Sequence, residues 1–360
     1  MDRCPFFRPS SRGASAAAAT LSAPAYAQGK RTLVMHTTWP RGFAGLADAA
    51  DKTAENITAI AGDTLTVEVK HAGEPLGAFD VFDVVTAGQA DMFHGADYYW
   101  VNQHPAYAFF ASVPFGMTAN ELNAWYYHDG GFDLHQELGQ IFGLKSFLAG
   151  NTGSQAGGWF RKEITSPEDF QGLRFRMPGL GGNALGAMGA SVQNLPGGEI
   201  YQALASGSLD GTEWVGPWSD EKVGFQEVTE FYYPAGFHEP GTGLALSVNL
   251  DDFNELTPTQ QKAIELGCAA ANDWSLTQYL ANNGAALRRL ESSGVKIMEF
   301  PDSVWDAFGA ASKGVYEEFM EDELFKQVFD SYMTSMGNVS PWISRSSGAY
   351  RAQRDRVLGV

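Results

Sequence analysis

The chain has 360 residues, 44% of them apolar, and carries 42 acidic against 24 basic side chains for a formal net charge of -18. That length and apolar content can bury the cores of two domains. The acidic balance leaves no basic surface to displace counterions from a nucleic acid, and beyond residue 30 no apolar run reaches the roughly 20 residues a membrane span needs.

The first 27 residues read as an export signal. Arg3, Arg8 and Arg12 supply a charged start, Ala16 to Ala23 a weakly apolar stretch, and Ala25-Tyr26-Ala27 an A-x-A cleavage site before Gln28. Asp2-Arg3-Cys4-Pro5-Phe6-Phe7 resembles a twin-arginine signal with Cys4 in place of the second arginine, so the twin-arginine and general secretory routes both stay open. A disordered Ala/Ser-rich tail is the alternative. Cys268 is then the one mature cysteine, which excludes an intrachain disulfide and reads as a buried apolar residue. The exported chain is expected to be soluble.

Arg31 to His36 is a buried-type strand that runs into Thr37-Thr38-Trp39-Pro40 and a helix to about Ala61. Leu65 to Lys70 alternates as a second strand. Gly77 to Ala87 reads as a helix, and Asp91 to His94 as a third strand ending at Ala96-Asp97-Tyr98-Tyr99-Trp100. This β-α-β-α-β rhythm predicts a parallel sheet covered on both faces. Ligands sit at the carboxyl ends of such strands, where Thr37, Thr38, Trp39 and Tyr98 to Trp100 stand.

A second alternating block starts near Gly143. Leu144 to Gly150 is a strand, Ala156 to Phe160 follows the glycine-rich turn, and Ser166-Pro167-Glu168-Asp169 is a helix start. The strand around Arg176 follows, then a helix to about Gly189, the strand Ser191 to Leu195, a helix from Glu199 and a strand around Glu213. Leu244 to Val248 is expected to return to the first sheet. Thr257-Pro258-Thr259-Gln260 is a capping box opening an unusually long helix, with Ile264, Cys268, Ala271, Leu280, Leu287 and Leu290 on one face. Val295 to Phe300 is a late strand, with helices from Ser303. Two α/β lobes joined by more than one crossing predict a hinge.

The chemistry gathers at three turns. Leu173-Arg174-Phe175-Arg176-Met177-Pro178 carries Arg176 to the start of the helix Gly179-Leu180-Gly181-Gly182-Asn183-Ala184. There a five-donor guanidinium meets free backbone N–H groups, a place for a carboxylate or phosphate. Asn151-Thr152-Gly153-Ser154-Gln155 offers an amide oxygen and Asp210-Gly211-Thr212-Glu213-Trp214 a carboxylate, both suited to a hard cation. The three turns are read as converging on one small anion and a metal ion. The plainer readings are surface ion pairs for Arg176, a solvated loop for Gln155, and a structural pair between Glu213 and Arg176. The G-x-G-x-x-A run at Gly179 lacks the following strand-end acid of a dinucleotide site. His238-Glu239 suggests acid–base chemistry or zinc, but His36, His71, His94 and His128 are scattered with no pair at helical metal-ligand spacing, which argues against zinc.

Gly172 to Pro178, together with Ile200-Tyr201-Gln202-Ala203-Leu204-Ala205-Ser206-Gly207-Ser208-Leu209-Asp210-Gly211-Thr212-Glu213, resembles the extracytoplasmic solute-binding proteins of TRAP transporters, the DctP-type family. Gly150 to Gln155, Glu213-Trp214 and Phe237-His238-Glu239-Pro240-Gly241 are similar to the branch that binds 2-oxo acids or lactate. The resemblance implies a two-lobed periplasmic-binding-protein-like α/β fold with hinge crossings and a long spanning helix. It implies lobe I as 28–150 plus about 236–280, lobe II as 151–235 plus about 281–325, and 326–360 as a C-terminal extension that could pair two copies. It also implies a periplasmic receptor, not an enzyme, that hands a small organic acid anion to membrane permease subunits; a sensor kinase is another possible recipient. Arg176 would pair with the ligand carboxylate. Gln155, Glu213 and the Trp214 carbonyl would hold Na⁺ or Ca²⁺, and Tyr99 or Tyr98, Glu239, Asn183 and Thr38 would line the ligand site. Most members carry Asn where Trp214 stands, so a wall here replaces a side-chain contact and favours pyruvate or lactate over a dicarboxylate. The rival from another class is an exported carboxylate-acting enzyme with Glu213 or Glu239 as general base. No nucleophile elbow or catalytic His/Ser or Cys/His arrangement supports it.

Overall fold

The computed structural model describes residues 30–359, so the export signal and Cys4 lie outside the described residues. Strands β1 (Arg31–Thr37), β2 (Leu65–Lys70), β3 (Met92–Gly95) and β4 (Leu144–Asn151) come first. They are followed by β5 (Gly158–Phe160), β6 (Arg174–Arg176), β7 (Ser191–Gln193), β8 (Gly211–Thr212), β9 (Phe231–Tyr233), β10 (Gly243–Asn249) and β11 (Lys296–Ile297). They form two sheets, ordered β2-β1-β3-β10-β4 and β11-β9-β5-β8-β6-β7. The expected rhythm holds in the first: β1 pairs in parallel with both β2 and β3. β10 does return to this sheet, antiparallel between β3 and β4.

Two connectors, 152–157 and 234–242, cross between the sheets and run beside the segment that follows β8. Thr152 N–H donates to the Thr242 carbonyl (2.9 Å), Gln155 to Glu239 (2.9 Å), Ala156 to Val215 (3.0 Å) and Gly157 to Tyr233 (2.7 Å). Backbone that leaves both sheets thus finds its partners in other connectors, as buried N–H and C=O groups must.

The helix Pro258–Ser292 has 35 residues, about 50 Å at the α-helical rise. Its capping box is as expected: Thr257 N–H donates to Gln260 Oε1 (3.0 Å) and Gln260 N–H to Thr257 Oγ1 (3.3 Å). It packs on the helix Leu46–Ala61 at Gly267, where a Cβ would come 2.6 Å from Ile57 Cγ1. Ile264, Cys268, Ala271 and Leu290 are buried, but Leu280 is 68% exposed. The mid-helix burial falls on Leu276 and Tyr279, and one residue beyond Tyr279 is a rotation of about 100° onto the outer face.

Some elements are shorter than their patterns suggest. The helix expected over Gly77 to Ala87 spans Val81–Thr86, because Gly77 N–H donates to Asp80 Oδ2 (3.0 Å) and makes a turn there. The helix start at Ser166 gives one turn, Pro167–Phe170, and the late strand is reduced to β11. The C-terminal helices Asp302–Phe319 and Glu323–Ile343 bury Val315, Tyr316, Phe325, Val328 and Tyr332. Phe325 and Tyr332 pack on Phe109 of the same chain, with centroids 5.3 and 5.2 Å away. Tyr332 OH accepts from Met117 N–H (2.5 Å). Further on, Trp342, Tyr350, Val357 and Leu358 are exposed.

Candidate functional site

Arg176 is the last residue of β6. Pro178 has no N–H to extend a ladder, and Gly179, at φ 63°, opens the helix Gly179–Ala187. Glycine is required there twice over, since a Cβ would also come 2.9 Å from Tyr98 Cβ. The Arg176 side chain is 1% exposed. Its Nε donates to the Leu195 carbonyl (3.1 Å), its Nη1 pairs with Glu213 Oε1, and its Nη2 reaches the Tyr99 hydroxyl (3.5 Å). The guanidinium carbon lies 5.2 Å from the Trp214 ring centroid, within cation–π range. Burial is the largest single influence and works against this charge, but the Glu213 carboxylate, Tyr99 and Tyr98 together outweigh it and the guanidinium pKa is raised.

The pairing of Glu213 with Arg176, one of the two readings open from the sequence, is therefore present. It uses one carboxylate oxygen. Glu213 lies one residue past the end of β8 rather than within a strand, and its N–H donates to the Arg176 carbonyl (3.2 Å). Its Oε2 is buried without a hydrogen-bond partner. Gln155 is also buried. Its Nε2 donates to Thr152 Oγ1 (3.2 Å), while Oε1 has no partner. Two unsatisfied buried oxygens on neighbouring connectors are costly unless something fills the space between them.

Glu239 is buried opposite, accepting from Thr242 Oγ1 (2.7 Å). Burial, then the nearby Glu213 charge, raises its pKa well above the usual carboxylate range. Tyr98 and Tyr99 occupy the helical turn Asp97–Trp100 with both rings buried and 5.0 Å apart. Burial pushes the Tyr99 hydroxyl up to about 12 and Tyr98 further, the Glu239 charge adding to the latter. Both phenols are neutral donors at any physiological pH.

Two expected residues stand apart. Asn183 is solvent-exposed, because helical rotation sends Leu180, Ala184 and Leu185 inward and leaves position 183 facing out. It borders a surface depression with Val101, Asn102 and Glu318. Thr38 is buried at the end of β1 with an unpartnered hydroxyl, lying against Gly95 and making no hydrogen bond to Arg176 or Glu213. His238, paired with Glu239 in the sequence reading, lies with it and Glu213. It is buried with both ring nitrogens unpartnered, and Nε2 lies 3.6 Å from Glu213 Oε2. Ligand atoms of Glu213, His238 and Glu239 all fall within 4.8 Å of one another. Its place beside Glu239 in the Phe237–Gly241 stretch was the available signal.

The buried cluster thus offers one cation, one carboxylate with a spare oxygen, a spare amide oxygen and two phenols. Such a set can hold a hard cation and an oxyanion side by side, which is the chemistry of a solute receptor hinged between two lobes. A family profile described as bacterial extracellular solute-binding protein, family 7 (DctP) matches residues 37–323, and the chain belongs to that family. It is a receptor of the TRAP transporter type, a transport component rather than an enzyme, and the general-base reading of Glu213 or Glu239 is set aside.

The monocarboxylate 2-oxoacid-binding periplasmic protein of Nostoc sp. is 38% identical over 309 residues, 86% of this chain and 85% of that protein. The TRAP periplasmic solute-binding protein of Pseudoalteromonas atlantica, solved with sodium and pyruvate, superposes with a TM-score of 0.87 at 36% identity, covering 90% of this chain and 99% of that one. A TRAP solute-binding protein of Bordetella bronchiseptica gives a TM-score of 0.90 at 30% identity, covering 92% and 99%. It was solved as a dimer with copurified calcium and picolinate in one site and the other site apo.

Proposed function

We propose that this receptor binds a small 2-oxo or 2-hydroxy monocarboxylate, pyruvate- or lactate-like, between Arg176 and a bridging Na⁺ or Ca²⁺. Gln155, Glu213 and the Trp214 carbonyl are assigned to the cation, and Arg176, Tyr99 and Glu239 to the ligand. The carrying observation is that Gln155 Oε1 and Glu213 Oε2 are both buried without partners beside a buried arginine. The charge balance supports the same reading. Arg176 is already matched by Glu213, so a carboxylate entering alone would bring an uncompensated negative charge into a dry cleft. A cation on the two spare oxygens supplies the missing charge. A 2-oxo acid presents two oxygens in chelating geometry, and a hard cation accepts them without strict angular demands.

The lobes, assigned as 28–150 with about 236–280 and 151–235 with about 281–325, would close on the ligand and exclude water, strengthening the arginine contact. The first 27 residues would direct export to the periplasm. The acid would pass to membrane permease subunits, and the exposed C-terminal helix would pair two copies. Tryptophan fluorescence titrated with pyruvate and lactate, in Na⁺, in Ca²⁺ and in chelator, tests the assignment. Saturable, cation-dependent curves are expected; flat curves for every 2-oxo and 2-hydroxy acid would remove it.

A further inference from the structure

Trp214 is held on three sides. The Arg176 guanidinium stands over its ring, and Phe43 meets it edge-on, with centroids 6.0 Å apart and planes at 90°. On the third side is Gly197, the first residue of the helix Gly197–Ala205, where a Cβ would come 2.9 Å from both Trp214 Cζ2 and Cζ3 and closer still to Cη2. The backbone at Gly197 does not itself ask for glycine, because its φ lies outside the left-handed region. The indole does.

The geometry points to Gly197 as a positioning residue that sets the size of acid this cleft admits. Lacking a Cβ, it lets the outer ring of Trp214 lie back against the helix, and the depth of that ring limits the chain a ligand can carry beyond its carboxylate. A methyl group at 197 has to push the indole. Arg176 is pinned by Leu195 and Glu213 and Phe43 blocks the edge, so the ring moves into the ligand's space. The inference rests on the reading of Arg176 and Trp214 as the ligand's neighbours, and concerns selectivity among acids rather than binding itself.

Calorimetric titration with pyruvate and with 2-oxopentanoate, in saturating Ca²⁺, tests it on the wild type, Gly197→Ala, Trp214→Phe and the double variant. One or two methylenes in an apolar pocket are discriminated about tenfold or more. Gly197→Ala is therefore expected to raise the Kd ratio of 2-oxopentanoate to pyruvate by about tenfold, Trp214→Phe to lower it, and the double variant to match Trp214→Phe, since without the indole the added methyl has nothing to push. An unchanged ratio in Gly197→Ala, or strictly additive effects in the double variant, would overturn the inference. Should Gly197→Ala fail to fold alone, a folded double variant with the ratio of Trp214→Phe supports it, and an unaltered ratio in Trp214→Phe sinks it. A wild type that binds neither acid fails the functional reading itself and takes this inference with it.

Discussion

Arg176 and Glu213 form an ion pair with 1% and 0% of their side chains exposed, and only one of the two carboxylate oxygens takes part in it. Removing the arginine leaves a buried carboxylate uncompensated, which typically costs about 3–5 kcal/mol. Arg176→Ala is expected to lower the stability of the ligand-free protein by that order and to reduce affinity for the acid beyond calorimetric detection. Unchanged affinity would mean that the carboxylate is clamped elsewhere.

The spare oxygens make a separate prediction about the cation. Glu213→Gln keeps an oxygen but removes its charge, and Gln155→Ala removes the other oxygen. Each is expected to weaken Ca²⁺-dependent binding of pyruvate by about tenfold or more, one charged contact contributing about 1.5–3 kcal/mol. Chelation should weaken the wild type more than either variant. Equal affinities with and without cation across the set would rule out the bridge.

Asp220 predicts a pH dependence. It is buried and accepts from Trp159 Nε1 (2.9 Å), Val215 N–H (3.1 Å) and Gly216 N–H (3.0 Å), and burial pushes its carboxyl up to about 7. Between its unfolded value near 4 and about 7, the folded state keeps a proton that the unfolded state has lost. Stability therefore falls as pH rises through that window, by an upper bound of roughly 4 kcal/mol at 1.36 kcal/mol per unit. Thermal unfolding from pH 4 to 8 should show the slope in the wild type and a flatter profile in Asp220→Asn. The same slope in both would show that another group carries it.

The C-terminal helix divides into two parts with different expected roles. Phe325→Ala removes a ring packed on Phe109 and should cost about 3–5 kcal/mol. Truncation after Met336 removes the exposed Trp342, Tyr350, Val357 and Leu358 and should leave the unfolding temperature nearly unaltered. Light scattering is expected to find a dimer for the intact chain and a monomer for the truncated one; a monomer in both cases would remove the pairing role.

Periodicity located β1 and β2 to within a residue or two because they alternate or run apolar against a uniform sheet core. It misjudged Leu280, since a helix passing over two different bodies has no single buried face along its length. Arg176, Gln155, Glu213 and Glu239 stood out from residue chemistry at strand ends together with the family resemblance, and all four are buried. The exposure of Asn183 was not legible, because a position near the start of a helix does not reveal which way rotation sends its side chain. His238 was visible beside Glu239 but its burial was not, because that depends on Gly181 and Gly236 lying against its side chain.

Gln155 and Glu239 lie in connectors that cross between the sheets, Glu213 sits just past the end of β8, and the crossings bond to one another before they bond to either sheet. A change of diet for this receptor could therefore be written into a few short stretches of chain without repacking either core. Under the proposed closure of the lobes the same stretches would bend, so any rewriting of taste would also retune how readily the receptor lets its cargo go.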